Sequence, residues 1–259
     1  RRAGVLADAR GEIGIVGAGL IGTELAAVMA KRGARVTLLG TGAWPCGSLL
    51  PAPLGKQLGD YLGKLGVRIE PSVRVQSVQR IPGGHELQLL GGRRLQFPQV
   101  AAGIGLIPNT ELAGQAGVRV TPAGIAVDEN LQTNFSEIWA AGDCTVHYCK
   151  ALGRLVQSQH EEHANFSGLA AGRAMAGKPS YYGALPYFYS TVGDCGYEGV
   201  GLVDAQLDDA AAAPDIYGYF EGGVLVGVLY WNRPADIERA TALIESRVTE
   251  TAALTALAR

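Results

Sequence analysis

The chain has 259 residues, enough for one large domain or two smaller ones. Its 47% hydrophobic and 18% charged residues suit a globular protein with a real core, and a net charge of −2 gives no footing for nucleic acid or an anionic membrane surface. No apolar run approaches the roughly 18 residues that a membrane-spanning helix needs. The sequence begins Arg1-Arg2, and its only methionines, Met29 and Met175, fall inside predicted helices. We therefore expect a processed product or a fragment, with any targeting segment upstream. Cys46, Cys144, Cys149 and Cys195 make no Cys-x-x-Cys pair, so they read as reduced thiols. Neither a metal site nor disulfide-reductase chemistry is expected from them.

Taken in chain order, residues 12–16 read as a buried parallel strand. Gly17-Ala18-Gly19-Leu20-Ile21-Gly22 follows, then a helix from Leu20 to Arg32 stopped by Gly33, then a second buried strand from Val36 to Leu39. Pro51 to Leu65 predicts a helix with Leu54, Leu58, Leu62 and Leu65 on one face, ended by Gly66. Strands are predicted at 67–69, 73–79, 86–90 and 94–97, with Gly91-Gly92 turning the last two into a hairpin. Gln99 to Ala102 returns as a buried strand and runs into Gly103-Ile104-Gly105-Leu106-Ile107-Pro108-Asn109.

Further along, 124–127 and 138–141 are predicted as short strands, the second ending in Gly142-Asp143. A helix is predicted over 158–176, closed by Gly177-Lys178-Pro179. Aromatic residues cluster from Tyr181, and strands are predicted at 197–203, 215–220 and 224–231, the last two joined at Glu221-Gly222-Gly223. Residues 206–214, with the run Ala210 to Ala213, are expected to form an exposed loop, and 235–247 a closing helix.

The glycine motif has a mechanical reading. Gly17 permits the tight turn, Gly19 lets the backbone approach a pyrophosphate, and Gly22 lets helix and strand pack closely. The helix N-terminus then faces the negative charge. An Asp or Glu at the end of the second strand normally holds the adenosine ribose of NAD, and an Arg there favours NADP. Here the stretch is Leu39-Gly40-Thr41-Gly42-Ala43, with neither acid nor base. NAD(H) binding is accordingly expected to be weak or lost.

Several motifs together resemble the apoptosis-inducing-factor family of pyridine-nucleotide flavin oxidoreductases, over nearly the whole chain. They are Gly17 to Glu24, Gly66 to Val78, Gly105 to Asn109, Ala141-Gly142-Asp143, and two less common stretches, Gly196 to Asp204 and Val226 to Asn232. The resemblance implies an α/β fold in three parts. These are a Rossmann-type NAD(H)-binding-like domain over 1–122, a second segment of an FAD-binding domain over 123–182, and a mixed α/β C-terminal domain over 183–259. It also implies roles. Gly17, Gly19, Gly22 and Gly105 would bind cofactor on the nicotinamide side, and Glu24 would lie close to the nicotinamide. Gly142 and Asp143 would hold the flavin ribityl chain, with His160 and Tyr189 beside the flavin ring, and Glu24 and His160 in the catalytic roles. His160 and His163 read equally as a solvated or capping pair, and Tyr189 equally as core.

Departures from the family pattern qualify this. The ribose acid is absent, Ile107 stands where the family has an acid, and Glu161 replaces a histidine. No Gly-x-Gly-x-x-Gly precedes residue 11, so the FAD site is expected to be incomplete in this chain, with the missing half on the same gene product, on a partner chain or in a larger assembly. The resemblance implies a mitochondrial location. Two functions follow: an FAD-dependent NAD(P)H oxidoreductase passing electrons to an acceptor, or a non-catalytic accessory subunit derived from one. A nucleic-acid-binding effector is disfavoured by the charge.

Overall fold

The computed structural model describes residues 11–178 and 181–258. Arg1-Arg2, Pro179 of the predicted helix stop, and the outermost residues of the expected first and last domains lie outside the described residues. The chain forms two compact units. The first runs to Gly105 and takes in Ser190–Gly196 and Asp204–Gln206; the second comprises Leu106–Tyr189, Tyr197–Val203 and the chain from Leu207.

In the first unit, strands and helices alternate: β1 (Glu12–Val16), α1 (Leu20–Lys31), β2 (Arg35–Leu39), α2 (Ala52–Lys64) and β3 (Arg68–Glu70). Three antiparallel strands follow, β4 (Val75–Ile81), β5 (Gly84–Leu89) and β6 (Arg94–Phe97), and then β7 (Gln99–Ala102). β7 returns beside β1, giving a parallel sheet in the order β3-β2-β1-β7. β1 is central, so Ile13 and Ile15 are fully buried. Gly14 is small for a reason: a Cβ there would lie 2.5 Å from the Phe97 ring, which packs with Leu87 and Leu89 against Leu39, Val16 and Val100. On α2, Leu54, Leu58 and Leu62 repeat at i, i+4 and are fully buried, whereas Leu65 caps the helix and is half-buried. Truncating any one of the three to alanine would cost about 2–5 kcal/mol.

The second unit holds a short helix α3 (Glu111–Gln115) and a four-stranded sheet of β8 (Val120–Thr121), β9 (Gly124–Ala126), β10 (Thr145–Cys149) and β11 (Arg154–Val156). Only β9 and β10 run parallel there. Helix α4 (Glu161–Met175) buries Ala170 and Ala171 in a core with Val118, Ile125, Val127 and Leu131. Next come β12 (Tyr187–Val192), β13 (Cys195–Gly201), β14 (Asp208–Ala213), β15 (Ile216–Glu221) and β16 (Val224–Trp231), forming one sheet in the order β12-β13-β16-β15-β14. Tyr197 on β13 stacks on its cross-strand partner Trp231, ring centroids 5.4 Å apart. Two helices close the chain, α5 (Ile237–Glu245) and α6 (Glu250–Leu257), with α6 packed over β14, β15 and β16.

The α/β class with parallel and mixed sheets is as expected, but several elements differ. Residues 138–141 form no strand; they make one isolated bridge, Gln132 with Trp139. Their backbone groups are satisfied locally instead, by Thr133 N to Ile138 O and Ala140 N to Leu131 O. The helix expected from Ser158 begins at Glu161, because His160 is extended and caps it. The alanine-rich stretch expected as a loop is the edge strand β14, whose Ala210, Ala212 and Ala213 pack against the core. Finally, α3, β8, β10, β11, β12 and α6 had no counterpart among the predicted elements.

Candidate functional site

The first region of interest is the turn from β1 into α1. Gly17 has φ +102°, and a Cβ there would sit 2.2 Å from Gly103 O. A Cβ on Gly22 would lie 1.8 Å from Gly17 O, so α1 can pack onto the turn only with glycine at that position. Gly19 differs from both: no atom lies within 4 Å of where its Cβ would be. The described residues make no steric demand for glycine at 19. Close approach of a ligand does, which is the role of the middle glycine in a dinucleotide turn. Gly19 is also the N-cap of α1, with no side-chain cap and no acid in the first turn. Thr23 turns its hydroxyl back onto the carbonyls of Gly19 and Leu20, 2.9 Å each. The leading N–H groups of α1 are thus left for an external acceptor, favourably a phosphate.

This turn lines a cleft of about 860 Å³ within the first unit, whose lining also includes Thr41, Trp44, Ser48, Arg74 and Gly105. The volume falls within the range of small-molecule sites. Among the described residues lining it, none is Asp or Glu, and Arg74 is the one ionisable side chain. The absence of a ribose acid read from Leu39 to Ala43 therefore holds for the whole cleft. Glu24, on α1, is half-buried and accepts a 2.5 Å hydrogen bond from the buried Ser190 hydroxyl.

The second region is the Gly142-Asp143 turn. Gly142, at φ +79°, donates its N–H to Ser167 Oγ at 2.9 Å, and its carbonyl accepts from Thr145 Oγ1 at 2.7 Å. Gln157 Nε2 donates to Asp143 O at 3.1 Å. The turn is clamped from both sides while the Asp143 side chain stays exposed, with no hydrogen-bond or ion-pair partner among the described residues. It is an acceptor on offer to hydroxyl donors.

Beneath the turn lies a buried trio. His163 Nδ1 accepts from Tyr182 OH at 2.7 Å, and its Nε2 faces Gly142 O at 3.2 Å. His147 stacks on His163 at 5.5 Å and bonds Ala184 O through Nε2 at 3.0 Å; its buried Nδ1 has no hydrogen-bond partner among the described residues. Burial pushes both histidines below the ordinary range and Tyr182 up to about 12, so the trio is neutral at pH 7. Each Nε2 then carries the proton, because a carbonyl faces it.

His160 caps α4: its Nδ1 accepts from Glu162 N at 3.4 Å, and its Nε2 faces Tyr189 N at 3.3 Å. A neutral imidazole has one acceptor nitrogen, so it can satisfy only one of these at a time. Tyr189 is exposed, meets the His160 ring edge-on at 4.4 Å, and donates to Glu161 Oε2 at 3.2 Å. His160 and Tyr189 are thus brought together in the second unit, and Gly17, Gly19, Gly22 and Gly105 in the first. Ser167, Tyr182, Ser190 and Arg74 escaped the sequence reading. Ser167, Tyr182 and Ser190 each bond a residue distant in the chain, and Arg74 reaches the cleft through loop pairing, for none of which a local pattern exists. His163 belongs to the core and not to a solvated or capping pair. Among the described residues there is no group of three His, Cys, Asp or Glu able to hold a metal, and no helix long and apolar enough to cross a membrane.

Comparison with known proteins bears on this geometry. Residues 2–165 match the pyridine nucleotide-disulphide oxidoreductase family. The ferredoxin–NAD(+) reductase component of the anthranilate 1,2-dioxygenase system of Burkholderia cepacia is 29% identical over 242 residues, 90% of this chain and 58% of its own length. A solved putidaredoxin reductase–putidaredoxin complex superposes with a TM-score of 0.81 at 29% identity, covering 95% of this chain and 61% of that one. A Drosophila melanogaster protein named as a mitochondrial apoptosis-inducing factor 1 is 31% identical over 210 residues, 78% of this chain and 28% of its own length. The chain thus spans less than two thirds of the length of these relatives. With its strand–glycine turn–helix unit and parallel sheet, it belongs to the pyridine nucleotide-disulphide oxidoreductase family.

Proposed function

We propose that this chain is the nicotinamide-nucleotide and C-terminal portion of a flavin-dependent oxidoreductase of the ferredoxin-reductase type, drawing electrons from a nicotinamide dinucleotide and delivering them to a small redox protein. What carries this reading is Gly19, a glycine that no described residue crowds, at the uncapped start of α1 and on the wall of the cleft. The redox-protein acceptor is supported by the named activity of the Burkholderia relative and by the putidaredoxin complex.

In this reading residues 1–122 bind the dinucleotide, 123–182 contribute to FAD binding, and 183–259 form the C-terminal domain. Gly17, Gly19 and Gly22 hold the pyrophosphate, with Gly105 at the cleft rim and Glu24 held toward the nicotinamide by Ser190. Asp143 accepts from the ribityl hydroxyls on a turn that Ser167, Thr145 and Gln157 keep in place. His160 and Tyr189 supply the surface beside the flavin ring. When bound, FAD would supply the chemistry that accepts a pair of electrons and releases them singly. Because these 259 residues contain one dinucleotide fingerprint, FAD alone should bind them weakly.

Kinship to apoptosis-inducing factor and a mitochondrial location form the finer part of the proposal. They are supported by the Drosophila relative and by the Gly196 to Asp204 and Val226 to Asn232 stretches, which contain most of the paired strands β13 and β16. A second reading, a non-catalytic accessory subunit, is favoured by the carboxylate-free cleft.

Calorimetric titration of nicotinamide dinucleotides into the 259-residue chain tests the main reading. Saturable binding that is abolished by Gly19→Val supports it. Absence of binding at millimolar concentration overturns it in favour of the accessory subunit. Gel filtration after mixing with FAD should return colourless protein; stoichiometric retained flavin would overturn the weak-binding part.

A further inference from the structure

The cleft carries a selectivity that its strand-end sequence does not announce. A carboxylate at the end of β2 favours the ribose hydroxyls of NAD, whereas a nearby Arg accommodates a 2′-phosphate. Here the geometry resists a carboxylate. A Cβ on Gly40 would lie 2.7 Å from Ala18 Cβ, and one on Gly42 would lie 3.3 Å from Trp44 O. The segment between β3 and β4 is hydrogen-bonded onto this same loop: Ser72 N donates to Gly42 O at 2.9 Å, and Val73 N to Gly40 O at 2.8 Å. The next residue is Arg74, whose own carbonyl is fixed by Leu90 N at 2.8 Å. The backbone at Arg74 is therefore held beside the loop that follows β2, though Arg74 lies 35 residues beyond Leu39 in sequence.

Its charge is available. Arg68 and Arg93 are both committed to Glu70, each at 2.6 Å, and hold that carboxyl below its usual range. Arg74 is exposed, lines the cleft, and has no hydrogen-bond or ion-pair partner among the described residues. Thr41 and Ser48 add hydroxyls elsewhere in the cleft lining. A guanidinium in a cleft with no competing carboxylate is suited to a phosphate, and a repulsive carboxylate is what would reject one.

We propose that the cleft selects NADP(H) over NAD(H), with Arg74 as the specificity-determining residue for the phosphate on the adenosine ribose. This rests on the dinucleotide reading above. Calorimetry on the 259-residue chain with NADPH, NADH, adenosine 2′-monophosphate and adenosine 5′-monophosphate tests it, and needs no flavin. NADPH should bind at least tenfold more tightly than NADH, and the 2′-monophosphate more tightly than the 5′-monophosphate. Arg74→Gln, at an exposed position, should remove the preference, bringing NADPH affinity down to that of NADH. Thr41→Glu, which puts a carboxylate on the wall without the Gly40 clash, should invert it. Equal binding of the two dinucleotides, tighter NADH, or a preference that survives Arg74→Gln overturns the assignment while leaving the dinucleotide reading intact. No binding of either dinucleotide overturns both.

Discussion

Two helices of this chain begin beside a glycine turn, and they treat their N-termini in opposite ways. α1 starts at Gly19 with no side-chain cap and no acid in its first turn. α4 starts at His160, whose imidazole caps it, and carries Glu161 and Glu162 in its first turn. A helix N-terminus amounts to roughly half a positive charge on unsatisfied N–H groups. In α4 that charge is met by the protein's own acids. In α1 it is left to whatever enters the cleft. An uncompensated terminus is poised for a phosphate, and a compensated one suits a neutral polar group such as the edge of a ring. A helix N-terminus lying beside a glycine turn can therefore serve two chemistries, and the first turn of the helix decides which.

The sharpest break of this comparison is Gly22→Ala. With its new Cβ 1.8 Å from Gly17 O, α1 can no longer pack on the turn, and stability should fall by on the order of 3 kcal/mol in urea unfolding. Gly142→Ala should cost less, about 1 kcal/mol, since the nearest neighbour to its Cβ is 3.8 Å away and only the positive φ is strained.

Next in size is Tyr182→Phe, which strands the buried Nδ1 of His163 at a cost of about 1–3 kcal/mol. The same trio predicts a pH dependence. Burial lowers the pKa of His147 and His163, so below the ordinary histidine range the unfolded chain binds more protons than the folded one. The stability contributed is fully present above the unfolded histidine pKa, about 6.5, and is lost as pH falls toward the folded values. The urea midpoint should drop between pH 7 and pH 5, and His147→Phe should flatten that drop.

Gly19→Ala should leave stability within about 0.5 kcal/mol, because nothing crowds the site. It should weaken dinucleotide binding tenfold or more, about 1.4 kcal/mol. A variant that loses stability instead would remove the ligand-based reason for this glycine. The smallest effect should come from Ile21→Glu, an exposed position in the first turn of α1. It should stabilise the unliganded chain by about 0.3–1 kcal/mol while weakening dinucleotide binding. The mirror change in α4, Glu162→Gln, should destabilise by a similar amount, and equal responses in both helices would collapse the distinction between them.

The sequence by itself determined the elements with local periodicity and punctuation. The β1–α1–β2 unit and α2 were legible because buried strands, i, i+4 leucines and terminating glycines are written along the chain. Gly17, Gly19 and Gly22 were legible as a set because their spacing is the motif. Tertiary structure alone decided the rest. It made a strand of Asp208 to Ala213, where short alanine side chains accept α6 above them, although nothing in the alanine run favours a ladder. It denied a strand to Ile138–Ala141 because local turns had already satisfied that backbone. It placed His163 in the core and His160 at a cap, three residues apart on one helix, because which face is buried depends on what packs against it. It also set Arg74 on the cleft wall through two backbone hydrogen bonds to a loop more than thirty residues upstream. Sequence spacing carries periodicity and turns; partners brought together by sheet register and loop pairing are set only when the chain closes on itself.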